Sequence, residues 1–256
     1  MDTPENNERA DKALEALNRA YEIDPYDKNV IYSLGDMYDR LRNFEEAEKL
    51  YLKILELEPT NMENYYVVAG FYKKYVPVRA SGASGEQEGG EEGKRAFQKA
   101  EEMYLRRIEL DAESPEGYAY AAQFYEDLQP PDFDKAYKFH VYRTRLEPDN
   151  NIPVYAIGVN RFWKAHRLQT QLSKEERIEL AKVAEEALLK AIEMDPSYSF
   201  TYYYMGIIYR NIYAAVYPER KSRYIEEADM WQQRAQDARK KELERKRLEQ
   251  ELKGLK

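Results

Sequence analysis

Between residues 29 and 59 the apolar residues fall into two sets, each with helical spacing. The first set recurs every three or four residues and comprises Ile31, Leu34, Gly35 and Tyr38. The second set follows a break at residues 42–44 and comprises Ala47, Tyr51 and Ile54. Such spacing places each set on one face of a helix. Because Gly35 and Ala47 are small enough for two helices to approach closely, the segment is predicted to form an antiparallel helix hairpin.

An interval of 25 residues recurs five times along the chain. It separates Ala13 from Tyr38, Ala47 from Tyr72, Ala100 from Tyr125, Ala136 from Arg161 and Ala184 from Tyr209. The intervals from each second position to the next Ala are 9, 28, 11, 23 and 19 residues, so insertions are confined to one side of every unit. Where nothing is inserted the two intervals total 34 residues, the period of a two-helix repeat. Since one hairpin cannot bury its apolar side alone, the repeats are predicted to stack as a solenoid.

The repeated positions resemble those of the tetratricopeptide repeat (TPR) family. In the unit that starts at Lys28 the matching residues are Ile31, Leu34, Gly35, Tyr38, Ala47, Tyr51, Ile54 and Pro59. The later units match at Tyr65, Ala69, Tyr72, Ala100 and Tyr104, at Tyr118, Ala122, Tyr125 and Ala136, at Gly158, Ala184, Leu188 and Ala191, and at Tyr202, Gly206, Tyr209, Ala228 and Ala235. The chain departs from the pattern at Arg107, Ala112, His140, Arg143 and Arg161. Over about residues 10–238 the resemblance implies an all-α, right-handed superhelical solenoid of antiparallel helix pairs.

The repeat spacing also predicts the domain organisation. We expect one TPR-like domain over residues 1–238 and a charged helical tail over residues 239–256. The domain would consist of a half repeat and five repeats, at residues 1–27, 28–61, 62–114, 115–150, 151–198 and 199–238. A Gly/Ser-rich, acidic stretch in the second repeat cannot bury enough surface to become ordered, so residues 76–93 are predicted to form a flexible loop.

The last two repeats are predicted to have lengthened helices. Residues 162–168 continue the first helix of the fourth repeat, and Ser173 with Glu176 forms a capping box that opens the second. Residues 209–217 would lengthen the next helix. Pro218 to Lys253 then reads as one long C-terminal helix, whose charged end favours a solvated tail over a coiled coil because its leucines fit heptads poorly.

The first repeat is only half present in the sequence. Ala13, Leu17 and Ala20 match a second helix whose partner would precede residue 1. Thr3 as a helix cap followed by Pro4 favours a helix start at this point. Either an upstream segment has been removed or another molecule completes the half repeat, and both alternatives stay open.

In the TPR family the inward-facing positions of the first helices line a concave groove. The residues that the resemblance places there are Asn29, Tyr32, Asp36, Tyr66, Lys73, Tyr155, Phe162, Tyr203 and Arg210. Aromatic side chains with a few charges suit an extended peptide or an amphipathic helix. The alternative is that the tyrosines only pack the repeats against one another. No repeat carries the Lys and Asn pair with which some family members clamp a terminal carboxylate.

Composition limits the classes of partner. The net charge of −8 disfavours general binding to nucleic acid or anionic membranes. No stretch of the sequence approaches the ~18 apolar residues of a membrane span, so direct membrane insertion is not expected and the chain is predicted to be soluble. The absence of cysteine excludes disulfides but does not decide between a cytoplasmic and a periplasmic location.

The sequence contains few candidate catalytic side chains. His140 occupies a packing position and His166 lies in a helix extension, and neither has the spacing of a catalytic or metal-binding motif. We therefore expect no enzyme, no cofactor and no metal site. The predicted function is a scaffold that binds a protein or peptide partner in the aromatic groove. The alternative is a self-assembling subunit, a homo-oligomer joined end to end through the incomplete first repeat.

Overall fold

The computed structural model describes residues 4–76 and 90–254, and all regular structure within those ranges is helical. The helices are α1 Pro4–Ile23, α2 Lys28–Arg40, α3 Phe44–Leu57, α4 Met62–Lys73, α5 Glu91–Leu110, α6 Pro115–Asp127, α7 Phe133–Leu146, α8 Asn151–Arg167, α9 Lys174–Met194, α10 Ser199–Ile208, α11 Ala214–Val216 and α12 Lys221–Gly254. A π-helical turn, Tyr209–Tyr213, joins α10 to α11, and a 3-10 turn, Pro218–Arg220, precedes α12. The prediction of an all-α fold is confirmed.

Short polar side chains start most of the helices. The carboxylate of Asp27 accepts hydrogen bonds from the backbone N–H groups of Asn29 and Val30 at the start of α2. Asn43 and Asp132 cap α3 and α7 in the same way. These caps pair backbone donors that a helix start leaves unsatisfied. The short loops between them turn each helix back against its predecessor.

The chain divides into two compact units, Met1–Ala112 and Glu113–Lys256. In the first unit α2 pairs with α3 and α4 pairs with α5, while α1 covers the outer side of α2. The core beneath α1 is formed by Ile31, Leu34, Leu50 and Ile54. The helical spacing predicts Ile31, Leu34 and Ile54 to lie on the packed faces, whereas Leu50 is not among the predicted positions. An aromatic group around the fully buried ring of Phe71 continues this core toward α4.

The second unit consists of the pairs α6 with α7, α8 with α9, and α10 with α12. Its core contains Phe162, Leu188, Met205, Ile208 and Ile212. Helices α8 and α9 approach closely at Gly158 of α8, where an added Cβ would lie 2.6 Å from Cγ of Leu188. The absence of a side chain at this one position therefore sets the distance between α8 and α9.

The lengthened helices predicted in the fourth repeat are present. α8 has 17 residues and α9 has 21, and the capping box between Ser173 and Glu176 opens α9 as predicted. The predicted extension at residues 209–217 is helical only in part, because it begins with the π-helical turn. The long C-terminal α-helix begins at Lys221 rather than at Pro218.

The predicted flexible loop at residues 76–93 falls for the most part outside the described residues. Its last residues, Glu91 to Gly93, are the first turn of α5, and Gly93 is buried there. At the other end of the first unit, Pro4 is the first described residue of α1, and the expected cap Thr3 is not among the described residues.

Candidate functional site

Five of the predicted groove residues lie in the first unit, on α2 and α4. Asn29 is exposed, whereas Asp36 is half-buried and accepts a hydrogen bond from Nε of Arg40 at 2.7 Å. The hydroxyl of Tyr32 donates to Oδ1 of Asn64 at 2.7 Å, which ties α2 to α4. Burial and the nearby carboxylates of Glu58 and Glu63 raise the pKa of Tyr32. Tyr32 therefore has a packing role in this unit.

The remaining first-unit positions are on α4. The side chain of Tyr66 is 37 % exposed, and its ring lies 6.5 Å from that of Tyr104 on α5. Lys73 is half-buried in the last turn of the helix. Of the two predicted aromatic residues in the first unit, Tyr66 is thus the more exposed.

The second unit presents a larger aromatic surface on α8 and α10. The ring of Tyr155 makes edge contacts with Tyr198 at 5.1 Å and with Tyr204 at 5.6 Å. Tyr203 packs edge-on against Tyr204 at 5.6 Å, and Phe200 lies 5.7 Å from Tyr198. We call these five residues the aromatic face. The structure thus brings Tyr155 and Tyr203, which the sequence predicts to share a groove, into one continuous set of rings.

Within the aromatic face, Tyr155 and Tyr198 are partly buried, whereas Phe200 and Tyr203 are exposed. Burial raises the pKa of Tyr155 and of Tyr198, as expected for phenols that are partly withdrawn from water. By contrast, Phe200 is 57 % exposed and Tyr203 is 51 % exposed. Helices α9 and α12 both contact α10. The rings of Phe200 and Tyr203 are therefore exposed to solvent while they pack on Tyr198 and Tyr204.

Two predicted groove residues are placed differently by the structure. Phe162 is 1 % exposed and stacks on His166 at 5.5 Å within the core, so it is a packing residue and the prediction of a groove position is wrong. Its ring also lies 5.8 Å from that of Tyr204 on α10, within the core of the second unit. Arg210 lies in the π-helical turn, and its guanidinium pairs with Asp229 of α12. It is held on that neighbour rather than in the aromatic face.

Sequence reasoning missed the supporting rings of Tyr198 and Tyr204. The available signal was the density of aromatic residues between positions 198 and 204, which includes five rings. A family-based assignment considers only the inward-facing positions of a helix, and Tyr198 precedes the helix altogether. Local aromatic density would have identified both.

A polar network joins α6, α7 and α8 on the inner side of the second unit. Glu126 accepts hydrogen bonds from Asn160 at 2.6 Å and contacts Nε2 of His140 at 3.1 Å. Arg161 donates to the carbonyl oxygen of Phe133 at 2.6 Å and to Asp134 at 3.0 Å. Burial raises the pKa of Glu126, but its contacts with His140, Asn160 and Arg161 outweigh this, so the pKa is lowered overall.

This network accounts for two departures from the repeat pattern. His140 and Arg161 stand where the family places aromatic residues, and both are buried. Each is engaged with a carboxylate from a neighbouring element, which is the condition under which such groups are tolerated in a core. Their contacts tie α6, α7 and α8 together.

Among residues 4–76 and 90–254 no group of three or more His, Asp or Glu side chains is placed to hold a metal ion. No helix in that part of the chain is both long and apolar enough to cross a membrane.

One family model matches part of this chain, and several solved structures have a similar fold. Residues 7–68 match the model of a family described as tetratricopeptide repeat. A solved structure of MamA protein superposes with a TM-score of 0.50 at 16% identity and covers 85% of this chain and 94% of that one. A second MamA structure gives 0.49 at 17% identity, covering 82% and 97%. The resemblance to tetratricopeptide repeats is thus confirmed by the family match at residues 7–68, and the helical fold is similar to that of the MamA protein.

A third solved structure is that of YrrB, whose published description is a TPR protein with an unusual peptide-binding site. It superposes with a TM-score of 0.46 at 16% identity and covers 89% of this chain and 94% of that one. None of the curated proteins matches the sequence of this chain.

Proposed function

We propose that this protein is a non-enzymatic scaffold that binds a protein or peptide partner on the aromatic face of its second unit. The observation that carries the proposal is the exposure of Phe200 and Tyr203 by more than half on a helix that is otherwise well packed. Exposed large rings of this kind are enriched at interfaces and depleted elsewhere on a surface.

The support beneath the two rings favours binding. Tyr155, Tyr198 and Tyr204 hold one another edge to face, so little side-chain freedom remains to be lost when a partner binds. Preorganised aromatic residues contribute large contact area at low entropic cost. The two exposed rings lie three residues apart on α10, about one helical turn. This spacing suits an extended peptide or one face of an amphipathic helix.

The polar groups of the second unit argue for binding rather than catalysis. The carboxylate of Asp134 is paired with Arg161 and Lys164, and that of Glu126 contacts His140 and Asn160. General acid–base chemistry needs a group that can reach a substrate, and these are paired with structural partners. TPR proteins as a class act as interaction scaffolds, which fits the same proposal.

The alternative of end-to-end assembly through the half repeat is less well supported. The outer side of α1 carries charged residues that pair along the helix, Lys12 with Glu8 at 2.6 Å and Arg19 with Glu15. An interface that replaces a missing repeat helix would need an apolar side there, as α1 itself presents to α2. A charged outer side instead suits a capping helix.

The proposal is tested with peptides selected on the full chain from a random phage-displayed library. Affinity is measured by fluorescence anisotropy for the wild type and for the double variant Phe200→Ala/Tyr203→Ala. If the two rings are hot spots, the loss should exceed ~2 kcal/mol, which is a roughly 30-fold increase in Kd. Far-UV circular dichroism checks that helicity is unchanged.

Tyr142→Ala is the matched control. Tyr142 lies on α7 and is 50 % exposed, compared with 51 % for Tyr203. It should leave the affinity within about twofold. Equal losses in the control and in the double variant, or no loss in either, would contradict binding on the aromatic face.

A further inference from the structure

The C-terminal half of α12 carries an exposed leucine surrounded by cations. The helix leaves the core of the second unit after Ala238, which is 6 % exposed, and Leu243 is 58 % exposed. The residues three and four positions before and after Leu243 share its side of the helix. These four are Arg239, Lys240, Lys246 and Arg247.

The cations around Leu243 are available to a partner. Lys246 contacts Glu242 at 2.6 Å and Arg247 contacts Glu251 at 2.9 Å, each as a pair four residues apart on the exposed helix. The side chains of Lys246 and Arg247 are 58% and 80% exposed in these pairs. Such surface pairs are weak and exchange readily with other carboxylates.

A cavity of about 350 Å³ opens between α7, α8 and α9 of the same unit. Its apolar lining is formed by Tyr137, Leu172, Leu180 and Val183. The volume lies within the ~300–1,000 Å³ range of pockets that hold small ligands, so an aliphatic side chain fits with room for its stem.

At the mouth of this cavity the cationic side chains are mostly buried, whereas the carboxylates are exposed. The cations that line it, Arg161 and Lys164, have side chains that are 8% and 19% exposed, and both are held by Asp134. The carboxylates that line the cavity are the accessible groups, since the side chain of Glu179 is 71% exposed. Glu176 also lines the cavity and is exposed. Lys182 forms an ion pair with Glu179 at 3.6 Å.

We propose that Leu243 of one copy inserts into the cavity between α7, α8 and α9 of a second copy, with the four flanking cations facing the carboxylates at its mouth. The occupant is a second copy because the chain itself supplies a segment that matches the cavity in shape and in charge. The tail and the cavity are different surfaces, so the contact is heterologous and closes either as a reciprocal dimer or as a ring.

The first test is light scattering coupled to size-exclusion chromatography of the full chain, from about 5 to 500 μM at low salt. The mass should rise above the 30.4 kDa of the monomer. Association should weaken as NaCl increases, because charges at an exposed mouth are screened. A mass that stays at 30.4 kDa throughout the series would overturn the proposal.

The second test compares Leu243→Glu with Leu248→Glu. Both leucines are exposed, 58 % and 53 %, but Leu248 lies five residues further on and on another side of the helix. Leu243→Glu should raise the dissociation constant at least tenfold, and Leu248→Glu should change it less than twofold. Equal effects would show that the association does not use Leu243 specifically and would overturn the proposal.

Mixing two defective variants tests the cavity itself. Leu180→Arg places a cation in the cavity, whereas Leu243→Glu disables the tail. Each variant alone should be monomeric, but an equimolar mixture should form a heterodimer through the one intact tail and the one intact cavity. Failure of the mixture to associate while both variants keep wild-type helicity would assign the association to another surface.

Discussion

The contact between α8 and α9 at Gly158 provides a sharp test of the packing. Gly158→Ala would place a Cβ 2.6 Å from Cγ and 2.8 Å from Cδ2 of Leu188, and 3.0 Å from the carbonyl oxygen of Ala184. Optimal carbon–carbon contacts are ~3.5–4.0 Å, so the new atom is roughly 1 Å too close. Neither neighbour can move freely, because Leu188 and Ala184 are fully buried.

The magnitude follows from two opposing effects. Replacing Gly by Ala in a helix interior stabilises by ~1 kcal/mol. Overpacking a core by one methyl group costs ~1–3 kcal/mol. Because the surroundings of Gly158 are rigid, we expect a cost at the upper end of this range. The net expectation is a destabilisation of about 2 kcal/mol, or a decrease in Tm of ~4–8 °C for a unit of this size.

Gly70→Ala is the matched control, since an added Cβ at Gly70 of α4 meets nothing within 4 Å. It should stabilise the first unit by ~1 kcal/mol through helix propensity alone. Urea unfolding followed by tryptophan fluorescence reports the second unit, because Trp163 and Trp231 both lie there. Circular dichroism reports both units.

A double-mutant cycle completes the test. Leu188→Ala alone should cost ~2–5 kcal/mol, as for other fully buried leucines. In the Gly158→Ala background it should cost at least ~1 kcal/mol less, because the two side chains compete for one space. Additive effects, or a Gly158→Ala variant as stable as the wild type, would refute the assignment of this contact as the limit on helix approach.

Three further predictions concern stability. The pKa of Glu126 is held below its ordinary value of 4.5, so its contribution to stability is complete above about 4.5 and is lost as the pH falls through the folded-state pKa. The difference in unfolding free energy between the wild type and Glu126→Gln should therefore shrink below pH ~4.5. Ser173→Ala removes the cap of α9 and should cost ~0.5–2 kcal/mol in urea unfolding. Tyr213→Phe removes a hydrogen bond of 2.9 Å to Glu185 and should cost ~0.5–1.5 kcal/mol by the same assay.

The predictions for Glu126 and Ser173 each have a clear contrary result. If the unfolding free energy of Glu126→Gln falls at acid pH in the same way as that of the wild type, the network does not hold the carboxylate ionised. A Ser173→Thr variant should keep the cap and most of the stability, since Thr also accepts the backbone N–H. Equal losses for Ala and Thr would assign the effect to something other than capping.

The candidate site was predictable only in part. The sequence places Tyr155 and Tyr203 in one groove, and the structure joins them through Tyr204. It also places Phe162 there, although that ring lies in the core. Tyr155, Phe162 and Tyr203 occupy equivalent inward-facing positions in the repeat pattern. They differ in their surroundings, since Phe162 packs against His166 and Tyr204 in the core of the second unit.

The sequence by itself determined the local features of this protein. The 25-residue interval fixes the helix pairs, the short polar residues before them fix where most helices begin, and Gly158 marks a close helix contact, because these depend on backbone geometry and on the nearest turns of chain. Only the tertiary structure decided which aromatic rings remain in water. Exposure depends on how the lengthened α8 and α9, the π-helical turn and α12 pack together, and those contacts join residues far apart in the chain. Phe162 and Phe200, at 1 % and 57 % exposure, differ for that reason alone.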